Sequence, residues 1–445
     1  MVFKDKKVLV LGFSKSGISA AKYLKSIGAD VYITEYREEK SDDRENIDEV
    51  VALGINVEFG GHSDEFINGS CLAVTSPGIP PKSEIMQKLK ENNIDVISEI
   101  ELAYLNTQKP FIAITGTNGK TTTTALTSHI LSKKYKAIPC GNYGKPPCDL
   151  LYDDLDYFVC ECSSFQLQYS PTFTPKGAVF TNLTPDHIDW HGGLENYFDA
   201  KKKIFKNPKY SILNAKDERL TAFSKECGGE VFLFDSESGE NCSYIKDDSI
   251  WFRHSGVDEE IITLKDCPLI GNHNYQNVMC SVIVAKLEGI SNSDIRDAIM
   301  TFKVPEHRLE KFAQIGKTVF YNDSKATNPE ASLVAINSFN NCDVSLIAGG
   351  RDKNTDLTEF CEAIKKHIKS VVLIGEAADR FEENLKNSGF ENIIRENTFE
   401  EAIDKSISLN PDVVLLSPAC ASFDMFKGYE ERGKVFKEYV LSKVN

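Results

Sequence analysis

Ile112-Ala-Ile-Thr-Gly-Thr-Asn-Gly-Lys-Thr-Thr122 runs from an apolar strand into a glycine-rich turn that ends in Lys-Thr. A strand that feeds such a turn and a threonine-rich helix start has the layout of a phosphate-binding loop. Gly116 and Gly119 let the backbone turn its N–H groups toward a polyphosphate, and Lys120 has the length to reach the β- and γ-phosphates. Thr121 is placed to offer its hydroxyl to Mg2+, and the following helix adds its N-terminal dipole. Thr117, Asn118 and Thr122 fill out the loop. The spacing departs from the standard pattern: Ile114 stands where a first glycine would fall, and the glycine comes two residues later at Gly116. A plain strand-to-helix turn with Lys120 in water is the bland alternative, and the flanking strand and threonine run speak against it. The expected ligand is ATP.

Around this loop the composition is that of an ordinary folded protein. The 445 residues suffice for roughly two to four domains with their own cores. Hydrophobic residues make up 41% and charged residues 26%, and no apolar run approaches a membrane span. The chain opens at once on a strand, Lys6-Lys-Val-Leu-Val-Leu-Gly12, so no signal peptide and a cytoplasmic location are expected. Twelve cysteines are scattered without a Cys-x-x-Cys pair, as core thiols of a reducing compartment would be. A net charge of −15 argues against nucleic-acid or anionic-membrane surfaces, but local loops and metal ions still permit a small anionic substrate.

The hydrophobic pattern implies three α/β domains in series, residues 1–98, 99–304 and 305–445. In the first, Val8–Leu11, Asp30–Thr34, Cys71–Thr75 and Asp95–Ile97 read as strands of a Rossmann-like parallel sheet. Its first turn, Gly12-Phe-Ser-Lys-Ser-Gly17, resembles a dinucleotide fingerprint with Glu35 after the second strand. Ser14 replaces the middle glycine, which favours a phosphate-bearing ligand other than nicotinamide or flavin. Ser76-Pro77-Gly78 forms a rigid loop at the carboxyl edge of the same sheet. The middle domain is of P-loop ATPase type, with strands at Tyr157–Glu161, Gly177–Thr181 and Tyr210–Asn214 and a small antiparallel insert between Gly228 and Leu264. The last domain is again Rossmann-like, with strands at Thr318–Tyr321, Val344–Ala348, Ser370–Ile374 and Val413–Ser417.

Polar residues gather where these strands end. Glu161 closes an apolar strand ahead of Ser163, and His187 follows the next strand, so a hard oxygen and an imidazole sit near the expected Mg-ATP. His187 and His191 at i, i+4 resemble a zinc pair, but the glutamate that must follow the first histidine is absent; His191 reads as a packing histidine. Lys201-Lys202-Lys203 is an ordinary solvated helix face for two of its three members. The inner one would repel Mg2+ unless it lost its charge. In the third domain, Asp323, Lys325, Thr327, Lys353 and Ser422 lie in three loops at strand carboxyl ends. Cys420 has no evident histidine partner and reads as a buried thiol.

The chain resembles the Mur ligase family, ATP-dependent amide ligases of peptidoglycan precursor synthesis. The likeness rests on Gly116-Thr-Asn-Gly-Lys-Thr-Thr122, Glu161-Cys-Ser-Ser-Phe-Gln166, Asn182-Leu-Thr-Pro-Asp-His-Ile-Asp189, Gly271-Asn-His-Asn-Tyr-Gln-Asn277, His307-Arg-Leu-Glu310 and Asn322-Asp-Ser-Lys-Ala-Thr-Asn328. Within that family the last motif, with Ser417-Pro-Ala-Cys-Ala-Ser-Phe-Asp-Met-Phe426, looks most like the branch that adds D-glutamate. The Asp-Asn-Pro-Arg of the diamino-acid branch is missing, and folylpolyglutamate synthases lack an N-terminal domain of this kind.

The resemblance implies that the carboxylate of UDP-N-acetylmuramoyl-L-alanine attacks the γ-phosphate of ATP. The amine of D-glutamate then displaces phosphate from the acyl phosphate through a tetrahedral intermediate. It implies two Mg2+ sites drawing on Thr121, Glu161, His187 and Lys201, the last carbamylated, with Lys120, His187 and Lys201 as the catalytic group. Adenine and ribose fall to Asn274, Asn277, Arg308 and Asp323, and Lys325 also belongs to the ATP site. D-glutamate falls to Thr327, Lys353 and Ser422, with Phe423 and Tyr429 alongside. The uridine-sugar substrate falls to Phe13, Ser14, Lys15, Ser16, Glu35, Tyr36, Arg37, Ser76, Pro77, Gly78, Asn142 and Ser163. Tyr36 and Lys15 depart from the family pattern, which has a small hydroxyl residue and an apolar one there. A monomer is expected, as are two rivals for elimination: a nucleotide-dependent sensor and an oxidoreductase using the first turn. Three domains on two linkers imply closure around ligands. Small-angle scattering is expected to show a smaller radius of gyration with an ATP analogue and both substrates than without them.

Overall fold

The computed structural model describes residues 3–186, 188–339, 342–352 and 354–444. The chain divides into two compact units, Met1–Pro268 with Gln276–Phe302 and Leu269–Tyr275 with Lys303–Asn445. The first holds two β-sheets and the second holds one.

In the first sheet β1 (Lys7–Leu11), β2 (Asp30–Thr34), β3 (Asn56–Glu58), β4 (Leu72–Thr75) and β5 (Val96–Ser98) are all parallel, in the order β3-β2-β1-β4-β5. The chain reverses its winding direction between β1 and β4, so the loops after those strands flank a crevice at the carboxyl edge. Ser14 caps the helix Lys15–Ser26 by accepting from the Gly17 N–H, and its hydroxyl lies 2.9 Å from that of Ser76. Gly12, at φ +94°, passes so close to Ser76 that a Cβ would fall 2.8 Å from its oxygen. The two loops are thereby locked together. The three-residue β3 is too short to carry a hydrophobic alternation, and the sequence pattern misses it.

The second sheet has nine strands: β6 (Phe111–Thr115), β7 (Ala137–Gly141), β8 (Tyr157–Glu161), β9 (Gly177–Phe180), β10 (Tyr210–Asn214), β11 (Glu230–Phe234), β12 (Cys242–Lys246), β13 (Ser249–His254) and β14 (Val257–Thr263). Their order is β14-β13-β12-β11-β10-β9-β6-β8-β7. Every residue of β6 and β8 is buried, as expected for strands covered on both faces. β7 eludes the pattern because Pro139 interrupts it; a proline cannot donate to a ladder, and β7 is accordingly the edge strand. The expected antiparallel segment is β12–β14, and it continues the large sheet through β11, which pairs parallel with both β10 and β12.

The third sheet runs β15 (Glu310–Ile315), β16 (Thr318–Asn322), β17 (Val344–Gly349), β18 (Ser370–Ile374), β19 (Ile393–Arg395) and β20 (Val413–Leu416), in the order β15-β16-β20-β17-β18-β19. Only β15 is antiparallel to its neighbour. It and β19 are edge strands that the sequence reading passes over, since half-exposed edges need fewer apolar residues.

Beneath the phosphate loop, Phe111 and Phe158 stack at 4.5 Å and 7° between neighbouring strands, with Phe173 edge-on at 5.3 Å. Both stacked rings are buried. Phe158→Ala is expected to destabilise the fold by about 3–5 kcal/mol, read as a lower denaturant midpoint.

Candidate active site

β6 delivers the phosphate loop into a frame that only glycine fits. Gly116 sits at φ +143° and Gly119 at φ +83°; a Cβ on the first would overlap Thr181 Oγ1, and one on the second would overlap Asn277 Oδ1. The Thr117 N–H donates to the Asn182 carbonyl and the Asn118 N–H to Asn182 Oδ1, both at 2.9 Å. Thr181 Oγ1 returns a bond to the Asn118 carbonyl at 2.6 Å. The loop is therefore shaped by its own protein neighbours. Among the described residues no side chain caps the helix Lys120–Leu131, whose N-terminal dipole favours an anion. Lys120 curls over the loop and donates to the carbonyls of Gly116 (2.9 Å) and Thr117 (2.6 Å).

β8 lies beside β6 in a register that pairs Glu161 with Ile114, so the carboxylate emerges next to the loop. Glu161 is 2% exposed. Its Oε1 accepts from Asn142 Nδ2 at 2.7 Å, and Asn142 also donates its N–H to the Glu161 carbonyl at 2.9 Å. Oε2 is buried and has no hydrogen-bond partner among the described residues. An orphaned carboxylate oxygen is costly in a protein interior, and a hard divalent cation satisfies it well. With the Thr121 hydroxyl nearby on the loop, the donor set fits Mg2+. His187 lies outside the described residues.

The helix Leu194–Lys202 supplies the third element. Tyr197 and Lys201 sit one turn apart on its inner face, Tyr197 reaching Thr117 Oγ1 at 3.2 Å and Lys201 donating to the Gly116 carbonyl at 2.7 Å. Lys201 is 1% exposed. Desolvation, followed by the nearby Lys120 charge, drives its amine well below the usual lysine range, against the weaker pull of Asp186, Cys162 and Glu161. Of the three consecutive lysines, this is the one that is fully buried. His191 stacks on Phe165 and approaches the Ser164 hydroxyl at 2.9 Å, the packing position expected of it.

Other residues singled out from the sequence are placed as follows. Asn277 holds the loop by accepting from Thr123 Oγ1 at 3.1 Å, and Asn274 donates to the Ile270 carbonyl at 2.8 Å. Ser163 is the N-cap of the helix Ser164–Gln168. In the first sheet a cavity of about 640 Å3 is lined by Gly12, Glu35, Tyr36, His62, Gly78 and Lys88, among others. Glu35 accepts from the N–H groups of Phe13 and Arg37, at 2.8 and 3.1 Å. Arg37 is itself held bidentately by Asp43, and Phe13 packs on Phe59. Lys15 and Ser16 open the following helix, while Ser76 and Pro77 shape the opposite loop.

In the second unit three loops meet at the carboxyl edge of the sheet. The Gly349 N–H donates to the Pro418 carbonyl and the Arg351 N–H to that of Ala421. Asp323 accepts from Ser417 Oγ at 2.7 Å and from the Leu309 N–H at 3.1 Å, and burial pushes its carboxyl up to about 7. Lys325 lies over the Tyr429 ring, Thr327 is half-buried, Ser422 is buried, and Phe423 is an exposed ring beside it. Cys420 is buried, and burial raises its thiol to about 12. Lys353 lies outside the described residues. Arg432, which no motif indicated, is fully buried and donates to Ser324 Oγ and to the carbonyls of Ser324, Cys420 and Ala421. It ties the loop of Asp323, Lys325 and Thr327 to the loop of Ser422. Its signal in the sequence is one arginine on an otherwise ordinary terminal helix.

Residues 6–98 match the MurD-like N-terminal domain, residues 114–285 the Mur ligase middle domain, and residues 307–420 the Mur ligase glutamate ligase domain. The UDP-N-acetylmuramoylalanine--D-glutamate ligase of Thermoanaerobacter pseudethanolicus is 40% identical over 455 aligned positions, covering 99% of each chain. The chain belongs to the Mur ligase family. The enzyme of the same name in Clostridioides difficile is 38% identical over 452 positions, again covering 99% of each chain. Among solved Mur ligases, UDP-N-acetylmuramate-alanine ligase MurC from Thermotoga maritima superposes with a TM-score of 0.63 at 19% identity, over 98% of this chain and 99% of that one. MurF from the same organism, solved with ADP, gives 0.59 at 16% identity over 99% and 96%. These two likenesses show the fold.

Lys120→Ala is expected to weaken nucleotide binding by roughly 10- to 100-fold, since it removes a charged donor from the phosphate site. Titration with a fluorescent ATP analogue measures it.

Proposed function

We propose that this Mur ligase joins D-glutamate to UDP-N-acetylmuramoyl-L-alanine at the expense of ATP, in cytoplasmic peptidoglycan precursor synthesis. The observation that carries this reading is the buried, unpartnered Glu161 Oε2 set beside a buried Lys201 and a glycine-framed phosphate loop. Full-length relatives at about 40% identity that bear the D-glutamate ligase name support the choice of substrates.

The chemistry follows from the charges. A carboxylate is a poor acylating agent, and it becomes one by attacking the γ-phosphate of ATP with loss of ADP. The D-glutamate amine then adds to the acyl phosphate carbon, and the tetrahedral intermediate expels phosphate to leave the amide. Two anions approach each other in the first step, so the site must supply positive charge. Lys120 and the loop N–H groups from Gly116 to Thr122 would cradle the phosphates. Mg2+, when bound at two positions, would screen the phosphates and the attacking carboxylate; Thr121, Glu161, His187 and Lys201 would hold it.

Lys201 suits that role only after modification. A neutral buried amine can add to CO2, forming an N–C bond and releasing a proton, and the resulting carbamate is an anion fit for a cation. Burial lowers its basicity and so favours the neutral amine that this addition requires. Asn142, bonded to Glu161, would orient that carboxylate and face the reacting end of the uridine-sugar substrate. Thr327, Lys353 and Ser422 would receive the D-glutamate carboxylates, with Phe423 and Tyr429 beside them and Arg432 bracing the loops from behind.

Phosphate release from Mg-ATP with UDP-N-acetylmuramoyl-L-alanine is expected only when D-glutamate is added, and not with L-glutamate or meso-diaminopimelate. The product should be heavier by one glutamyl residue. Lys201→Ala is expected to lower kcat by roughly 100- to 1,000-fold. ATP binding without release for any amino acid would identify a nucleotide-dependent sensor instead.

A further inference from the structure

The nine-stranded sheet has a second polar recess, at the end opposite the phosphate loop. β10, β9 and β6 are adjacent and parallel. The phosphate loop follows the carboxyl end of β6, and a cavity of about 650 Å3 lies at the amino ends of the same three strands. The five residues of β6, about 16 Å of strand, separate the two, so one ligand's phosphates cannot reach both. Lys109 stands just ahead of β6, Lys176 ahead of β9 and Lys209 ahead of β10, and all three line the cavity. This grouping runs against a composition of 66 acidic to 51 basic residues. Among the described residues no carboxylate lines the cavity.

Lys176 is held in place from behind. It donates to the Tyr157 hydroxyl at 3.0 Å and to Glu288 Oε2, and the other oxygen of the buried Glu288 accepts from the Tyr210 hydroxyl at 2.9 Å. Desolvation opposes the Lys176 charge, but the bonds to Glu288 and Tyr157 prevail and raise its basicity. An ammonium has three N–H groups, so one remains for the cavity. Glu288 balances that charge. Lys109 and Lys209 are exposed and make no ion pair among the described residues; Asp154, which feels the Lys109 charge, is itself paired with Lys136. Two positive charges are thus left without a paired carboxylate. Thr107 Oγ1 accepts from the Lys109 N–H at 3.1 Å and keeps its own proton to donate, while Gln108 and Asn207 add amide N–H groups. A carboxylate ligand would bring one charge and two oxygens. A phosphate monoester brings nearly two charges and three terminal oxygens, which matches this donor set.

We propose that the amino edge of this sheet is a second anion site, which takes a small phosphate monoester. Its dianion lies among Lys109, Lys176 and Lys209, and its organic part rests on the wall of Tyr104, Pro110 and Pro175. Tyr104 is fixed for that role by Phe173, edge-on at 5.4 Å. The site is separate from the nucleotide and substrate sites described above and does not depend on which amide the protein forms.

The test is calorimetric titration of the full-length protein with phenyl phosphate and with inorganic phosphate. Mg2+, a non-hydrolysable ATP analogue and UDP-N-acetylmuramoyl-L-alanine are kept at saturation to fill the other anion sites, and ionic strength is held constant. One phenyl phosphate per chain is expected to bind, more tightly than inorganic phosphate because its ring covers apolar surface. Lys109→Ala and Lys209→Ala should each weaken it about tenfold or more, the worth of a charge-assisted hydrogen bond. Lys366→Ala, the same loss of charge at an exposed position of the helix Thr358–His367, should change nothing. Absence of binding to the wild-type protein overturns the proposal, as does equal binding to the Lys109→Ala/Lys209→Ala double variant. An equal loss in Lys366→Ala would show general electrostatic attraction and overturns it too. Phenyl phosphate held no more tightly than inorganic phosphate overturns the monoester assignment.

Discussion

A lysine enclosed beside the phosphate loop is the constraint on which the central domain turns. Removing an ammonium from water costs several kcal/mol unless an opposite charge meets it. Lys201 is met by the Gly116 carbonyl, the Thr115 hydroxyl and the face of Tyr197, with Lys120 adding a like charge against the weaker pull of Asp186, Cys162 and Glu161. The cation–π contact is worth about 1–2 kcal/mol, too little to offset the burial. Burial prevails and holds the amine well below the usual lysine range. An amine of lowered basicity opposes a neighbouring cation less than an ordinary ammonium would.

The third domain buries a cation to the opposite end. Arg432 is as deeply enclosed, yet its planar fork reaches four oxygen acceptors in two loops, with Asp323 and Asp424 close enough to favour the charge. Burial lowers it only to about 10, so it stays charged at neutral pH. The difference lies in acceptor count and in the guanidinium's delocalised charge. Lys201 is left with lowered basicity, and Arg432 serves as a clamp.

Much of the layout was legible along the chain. Strand runs such as Tyr157–Glu161 and Val344–Gly349 announce themselves because both of their faces are buried, and the glycines at 116 and 119 mark a turn before its contacts are known. The missed strands share one cause. β3, β7, β15 and β19 are edges or short segments where burial is partial or proline intervenes, so no apolar run records them. Among candidate site residues, Glu161 and Lys201 stand in motifs that the chain displays, whereas Arg432 does not. It is a single polar residue whose partner Ser324 lies far off in sequence.

The sequence by itself determined the three-domain α/β order, the phosphate loop and the inventory of charged groups near it. These depend on local periodicity, on glycine's freedom at positive φ and on motif spacing, all of which are properties of neighbouring residues. Tertiary structure alone decided which lysine of 201–203 is fully buried, and which oxygen of Glu161 lacks a partner among the described residues. Protonation and satisfaction depend on the dielectric and the donors supplied by distant strands, and no stretch of chain carries that information until it is packed.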